Sequence, residues 1–511
     1  VGLLLIIGIW AALFFKVENI DKYTEIGRPP KIDPDYANTV IPPNIAPMNF
    51  MIKEPGTRYY VEIWSANGKG IRILSKNGKI IIPKRLWNKL LNANRGEEIS
   101  YLTYVKDEGK WHRYQAFSNR IAGEDIDSYL VYRLIEPGYV QSRTMGIYQR
   151  DLTDFHEKII LHTRALNACY NCHSFCNKKP DKMMMHIRGG KAAGTFIIEN
   201  GTIKKINTTT EFNKQPGAYR SWHPSGKLIA FSVNIVRQFY HATGYAQEGY
   251  DMMSDIILYK IDSNMVTTCP AIASPRFMET YPEWSPDGRY LYYCRAPQPD
   301  SGSLFEEVYD KLMYDLMRIS YDIETDSWGK PEVVLSHKKT GLSVTQPRIS
   351  PDGEYLACAM TRWGTFSIHR PGGDIYLLNL KTGEFYKADV NSDRPESYNS
   401  WSSNSRWLVF SSKMRDNVCT RPYFTYIDEK GKAHKPFILP QKDPAFYDTF
   451  IITYNVPEFV DGPIPVSGQK IIKTALTDGI TRKAVLDPKV DIDAQTSATV
   501  RLEEEYKYKH Q

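Results

Sequence analysis

The sequence predicts an all-β protein built mainly around a β-propeller. The main evidence is a strand–turn–strand unit that recurs at residues 221–231, 283–293 and 348–358, with a degenerate copy at 400–410. Its turns read His223-Pro224-Ser225-Gly226, Ser285-Pro286-Asp287-Gly288, Ser350-Pro351-Asp352-Gly353 and Ser402-Ser403-Asn404-Ser405. Proline presets the turn and glycine takes the positive φ that closes it. A second strand type also recurs, at 254–261 and 373–380. One four-stranded sheet per repeat is the pattern of propeller blades. Aromatic residues at 13%, with 34 Tyr, lean the same way.

The elements follow in chain order. Residues 1–15 carry no charge and Lys16 closes the run. This predicts a transmembrane anchor over 1–16, although a full span takes about 20 apolar residues. A secretory signal peptide has an apolar core of similar length, but no small-x-small cleavage site follows here. Residues 17–47, rich in Pro, Asp and Asn, read as a stiff spacer. Residues 48–137 hold strand-like runs at 59–64, 71–74 and 99–105. Asn67-Gly68 and Asn77-Gly78 mark hairpin turns there, and a short amphipathic helix is expected at 84–91. Together they predict an immunoglobulin-like β-sandwich. Glu124, Asp125 and Asp127 share a loop that reads either as a calcium site or as a solvated acidic loop.

Residues 138–190 carry the most specific motif. A helix is expected at 151–161, capped by Asp151 or Thr153. After it comes Cys169-Tyr170-Asn171-Cys172-His173, the Cys-x-x-Cys-His pattern of covalent c-type haem attachment. Cys169 and Cys172 are then the thioether thiols and His173 the proximal iron ligand. Two rivals stay open. A thioredoxin-like pair needs an alternation of strands and helices that is not seen, and half a zinc site would be completed by Cys176 and His186. The sixth iron ligand is expected between 181 and 190. It is His186 or one of Met183, Met184 and Met185, or the position is open. Arg188 suits a haem propionate, and Gly189 and Gly190 allow close backbone approach to the ring. His156 and His162 fall on different faces of the expected helix, so they do not serve one iron.

The propeller is expected over 191–465, with further blades around 192–206 and 422–439 and with 447–459 closing the ring. A C-terminal extension follows at 466–511. A net charge of +7 without a long basic run excludes a nucleic-acid-binding face. Of the seven cysteines, five stand outside the motif and read as buried small hydrophobes. No Ser-His-Asp set, phosphate loop or zinc-protease motif appears, and no catalytic residue is assigned.

These repeats resemble the TolB-like β-propeller family, usually six-bladed. The propeller with an upstream Cys-x-x-Cys-His is similar to bacterial envelope proteins that join such a propeller to a single c-type haem. The resemblance covers residues 140–465. It implies a periplasmic body on the inner membrane, one covalent haem c, protein partners in the cell envelope, and electron transfer or a haem-stabilised scaffold. The alternative is a haem enzyme acting on a small molecule at the haem–propeller interface. In that case the loops 363–373 and 237–241 line a polar mouth.

Overall fold

The computed structural model describes residues 20–137, 145–166, 168–239, 248–299 and 305–492. The expected membrane anchor lies outside them. Among the described residues no helix is long and apolar enough to cross a membrane.

Six sheets of four or five strands follow one another along the chain. Sheet one begins with Cys169–Phe175 and continues through Lys182–Arg188, Gly194–Glu199 and Thr202–Asn207. Sheets two to five begin with Ala218–Trp222, Phe277–Trp284, Ser343–Ile349 and Glu396–Trp401. Sheet six is assembled from both sides of the others. Thr453–Val460 pairs with Tyr129–Ile135, which continues through Gly146–Asp151 to Glu157–His162. A late strand completing an early sheet closes a propeller, because it leaves no unpaired inner edge.

This topology moves several expected boundaries. Residues 138–190 are no separate segment: the strands on either side of residue 165 belong to sheets six and one. Residues 151–161 are a turn and an edge strand, not a helix, because Gly146–Asp151 holds Glu157–His162 in antiparallel register. Residues 194–207 and 421–438 are the outer strands of sheets one and five, not blades of their own. The C-terminal segment adds Arg482–Lys483 to sheet one and Val485–Leu486 to sheet two.

Every inner strand bulges at the same place. Register shifts fall between Tyr170 and Cys172, Ala218 and Arg220, Thr280 and Glu283, Thr345 and Arg348, and Ser397 and Ser400. The partner of Thr453–Val460 shifts likewise between Val131 and Arg133. Tyr219, Tyr281, Gln346, Tyr398 and Val456 take positive φ there. Bulges of this kind re-aim side chains, here toward the propeller axis. The Pro-Asp-Gly turns lie at the far end of the inner strands and carry packing as well as geometry. Gly288 has φ +74, and a Cβ there would sit 2.5 Å from His223 Nε2, which donates to the Gly288 carbonyl at 3.1 Å.

Residues 20–128 form a module docked on sheet five. One seven-stranded sheet is centred on Glu98–Asp107 and flanked by a short three-stranded sheet. The helix Lys84–Ala93 buries Trp87, Leu90 and Leu91 against this module's core. This is not the purely antiparallel immunoglobulin-like pairing expected, because Tyr23–Ile26 and Val40–Ile41 join the large sheet in parallel. Nor is 17–47 a spacer as far as it is described: Tyr23–Ile26 pairs with Lys110–Tyr114, and Tyr36 and Ile45 are buried. Trp87 and Tyr36 share one continuous core with Trp401, Trp407 and Phe424 of sheet five. The acidic loop is the clasp rather than a calcium site. Asp127 accepts from Ser403 N at 2.8 Å and Oγ at 2.5 Å, and Asn404 Nδ2 donates to the Asp125 carbonyl at 2.7 Å. Proline at 403, as in the other repeats, would remove one of those donors.

Candidate functional site

The six bulged inner strands surround a central cavity of about 680 Å3. Each contributes side chains to its wall: Cys169, Tyr219, Tyr281, Arg348, Tyr398 and Glu458 come from six different strands. The tyrosines arrive through the bulges, and Tyr219 and Tyr281 pack with ring centroids 4.3 Å apart. From the loop expected to form a polar mouth, Phe366 and His369 reach the wall. Tyr240 and His241 of the second loop lie outside the described residues.

The charge on this wall is concentrated in one network. Glu458 accepts from Arg220 at 3.0 Å and lies 3.5 Å from Arg348, which also bonds Glu283 at 3.0 Å. Burial alone would raise the Glu458 carboxyl, but Arg220, Arg348 and half-buried Lys178 hold it below the usual carboxylate value. Lys178 donates to Ser400 Oγ at 3.1 Å, and burial lowers its pKa. Arg133 donates to Asn455 Oδ1 at 2.7 Å and reaches the Tyr170 carbonyl at 3.5 Å. Arg188 lines the same cavity on the strand opposite Cys169.

The Cys-x-x-Cys-His motif is therefore the inner strand of sheet one, and its bulge occupies the Asn171 position. In register, Cys169 stands opposite Arg188, Cys172 opposite His186 and His173 opposite Met185. The Cys172 side chain lies outside what the structure describes. Cys169 Sγ lies 3.7 Å from Met145 Sδ on the cavity wall. His173 is fully buried, and burial pushes its imidazole down to about 4 against the opposing pull of Glu458. Neither ring nitrogen makes a hydrogen bond of ordinary geometry, the Val131 backbone being only a weak partner.

The expected second ligand is not across an iron from His173. His186 neighbours Met185, and successive strand residues point to opposite faces, so His173 and His186 leave sheet one on opposite sides. His186 Nδ1 bonds Thr195 Oγ1 at 3.1 Å, and burial pushes its pKa down to about 3. Met183, Met184 and Met185 are buried in the cores on either side of the sheet. Gly189 and Gly190 take positive φ, and no atom lies within 4 Å of a Cβ placed at either.

Haem c was tested against this geometry. Attachment requires both thiols and the imidazole on one side of the peptide, as on a helical turn with neighbours about 6 Å apart. Four residues of strand separate Cys169 from His173 by roughly 13 Å, and the imidazole is shut between sheets. The residues as placed do not fit the group. Among the described residues no cluster of three or more His, Cys, Asp or Glu side chains suits a metal ion.

Of the wall arginines the sequence singled out only Arg188; Arg133, Arg220, Arg348 and Glu458 were not picked out. Their signal was available: Tyr219-Arg220, Tyr281-Pro282-Glu283, Gln346-Pro347-Arg348 and Tyr398-Asn399 stand at a constant offset before each turn motif, and Val456-Pro457-Glu458 repeats the pattern.

No family model matches this chain, and no curated protein matches it. Similar solved structures include TolB from Acinetobacter baumannii. It is 14% identical, with 71% of this chain and 79% of that chain covered and a TM-score of 0.41. A hypothetical selenium-binding protein from Sulfolobus tokodaii is 10% identical, with 67% and 96% covered and a TM-score of 0.37. The propeller assignment rests on the strand order itself.

Proposed function

We propose that this chain is a TolB-like, six-bladed propeller protein of the bacterial cell envelope whose working site is the central cavity, where it binds a small molecule. The supporting observation is that all six inner strands bulge at one level and direct side chains into a single cavity. Its volume falls within the roughly 300–1,000 Å3 range of small-molecule sites. The periplasmic location, membrane attachment through residues 1–16 and docking of envelope proteins on the outer surface are part of the same proposal, motivated by the repeat resemblance and the apolar amino-terminal run.

A photo-crosslinking side chain at Tyr398, introduced in the native host, tests this. The cavity position should yield a small-molecule adduct by intact mass, whereas the same group at the exposed turn residue Lys381 should not. Adducts absent from Tyr398, or equal at both positions, would refute it.

One observation favours a second reading, a monohaem c-type cytochrome used for electron transfer, as a haem-stabilised scaffold or as a haem enzyme. The His173 ring nitrogens are buried almost without partners, on the strand whose Cys169 lines the cavity wall. This reading requires residues 169–173 to leave sheet one. Protein purified from its native envelope and then denatured should keep a haem stain, which Cys172→Ala should weaken or remove. A native chain without haem absorbance would exclude it.

A further inference from the structure

We propose that this chain carries a second binding site, a groove that takes a free α-amino acid with an apolar side chain, its carboxylate on Arg150 and its ammonium on Glu157. The groove has a volume of about 600 Å3 and shares no lining residue with the central cavity. It lies where Ile81 of the N-terminal module, sheet six and the segment 441–446 meet.

Arg150, on the strand Gly146–Asp151, is 5% exposed. Its guanidinium donates to the Pro440 carbonyl at 3.0 Å and to Gln441 Oε1 at 3.4 Å, and lies 5.6 Å from the ring centroid of Phe155. Gln441 and Phe155 both line the groove, so the guanidinium sits in its wall. These partners are neutral, and the Arg150 Nε has none. The Asp154 carboxylate, beside Phe155, is held by Lys84 and by the Phe155 amide. Among the described residues no carboxylate forms an ion pair with Arg150. A guanidinium oriented by neutral acceptors keeps its charge for a ligand carboxylate, which it meets in two-point fashion.

Glu157 supplies the opposite charge. It stands directly across from Arg150 in antiparallel register, so the two side chains leave the same face of the sheet, with Cα atoms about 5 Å apart. The residue is exposed and lines the groove, and its carboxylate accepts from the Tyr132 hydroxyl. Both charges reach the same two phenols. Burial raises the pKa of Tyr132 and of Tyr454, Glu157 adds to the rise and Arg150 opposes it. At the rim Lys79 and Asp443 pair with each other at 2.9 Å, leaving exposed Lys442 as the remaining charge. A cation and an anion side by side fit a ligand that carries both charges on one carbon. A simple anion would be repelled by Glu157 and a simple amine by Arg150. Phe155, Phe446, Tyr454 and Ile81, the last 46% exposed, make up the apolar wall and suit an apolar side chain.

The experiment is calorimetric titration of the full chain with L-phenylalanine, N-acetyl-L-phenylalanine, L-phenylalaninamide and the dipeptide phenylalanylglycine. L-Phenylalanine should bind at millimolar concentration. Loss of its ammonium or of its carboxylate should each weaken binding about tenfold or more, the scale of a charge-assisted hydrogen bond. Glu157→Gln keeps an acceptor for the Tyr132 hydroxyl, so the chain should stay folded by circular dichroism while L-phenylalanine falls to the affinity of its N-acetyl form. Arg150→Lys should lose much of the preference for the acid over the amide, because an ammonium lacks the two-point grip. Should that variant fail to fold, Glu157→Gln and the ligand series decide alone. No binding of L-phenylalanine at millimolar concentration, equal binding of its N-acetyl form, or undiminished binding by Glu157→Gln would each overturn the proposal. Tighter binding of the dipeptide would overturn the amino-acid assignment in favour of a peptide end.

Discussion

Replacing Arg421 with methionine should destabilise the protein by about 3–5 kcal/mol, the scale expected when a buried charge network loses its centre. Arg421 opens the third strand of sheet five and is 1% exposed. It donates to the Ile452 carbonyl at 2.5 Å and to the Phe450 carbonyl, with Asp416 at 3.5 Å as its counter-charge. Tyr447 and Phe450 pack over the guanidinium at 5.2 and 5.5 Å. Those two carbonyls belong to the segment that delivers Thr453–Val460 into sheet six, so Arg421 fastens the ring closure. Methionine fills similar volume but leaves both carbonyls without their donor. Hydrogen exchange should therefore accelerate first along 453–460 and its partner Tyr129–Ile135, and the urea midpoint should fall. Arg421→Lys should recover only part of the loss, since one ammonium does not fork to both carbonyls. A methionine variant within about 1 kcal/mol of the parent would show that the ring is closed by other contacts.

Glu458→Gln should cost a comparable 3–5 kcal/mol near neutral pH, because it leaves buried Arg220 and half-buried Lys178 without their main anion. The Arg220 and Glu458 side chains are 6% and 8% exposed, so water does not take over the role. Adding Arg220→Met to Glu458→Gln should restore part of the stability, as removing both partners costs less than stranding one. The pH dependence follows from the sign of the shift. The folded carboxyl titrates below its ordinary 4.5, so folding releases protons as pH falls through that region. The stabilisation is full above 4.5 and is lost below it as the carboxyl protonates. The stability gap between parent and Glu458→Gln should accordingly be constant from pH 5 upward and narrow on acidification. A gap that widens in acid would contradict the assigned pairing.

The chain by itself determined the elements whose cause is local. Pro-Asp-Gly, or Pro224-Ser225-Gly226 in sheet two, closes a turn wherever it stands, so the inner hairpins of sheets two to four were legible residue by residue. The Asn67-Gly68 hairpin and the helix carrying Trp87 were legible for the same reason, whereas the strands flanking Asn77-Gly78 pair in different sheets instead of forming the hairpin expected. Even the degenerate fourth turn carried information, since Ser403 replaces proline where a backbone donor meets Asp127. Pairing over long separations was not legible. Nothing local to Thr453–Val460 says that it completes a sheet begun by Tyr129–Ile135. Nor does anything local to 151–161 reveal the neighbouring strand that turns an apparent capped helix into a sheet edge. The Cys-x-x-Cys-His motif shows the limit most clearly. Its spacing suggests one face of a helical turn, but antiparallel register with Lys182–Arg188 draws it out into a strand and sends His173 and His186 to opposite sides. Sequence spacing predicts which side chains meet only once the backbone period is known, and here a neighbouring strand sets that period through hydrogen bonds the motif does not encode.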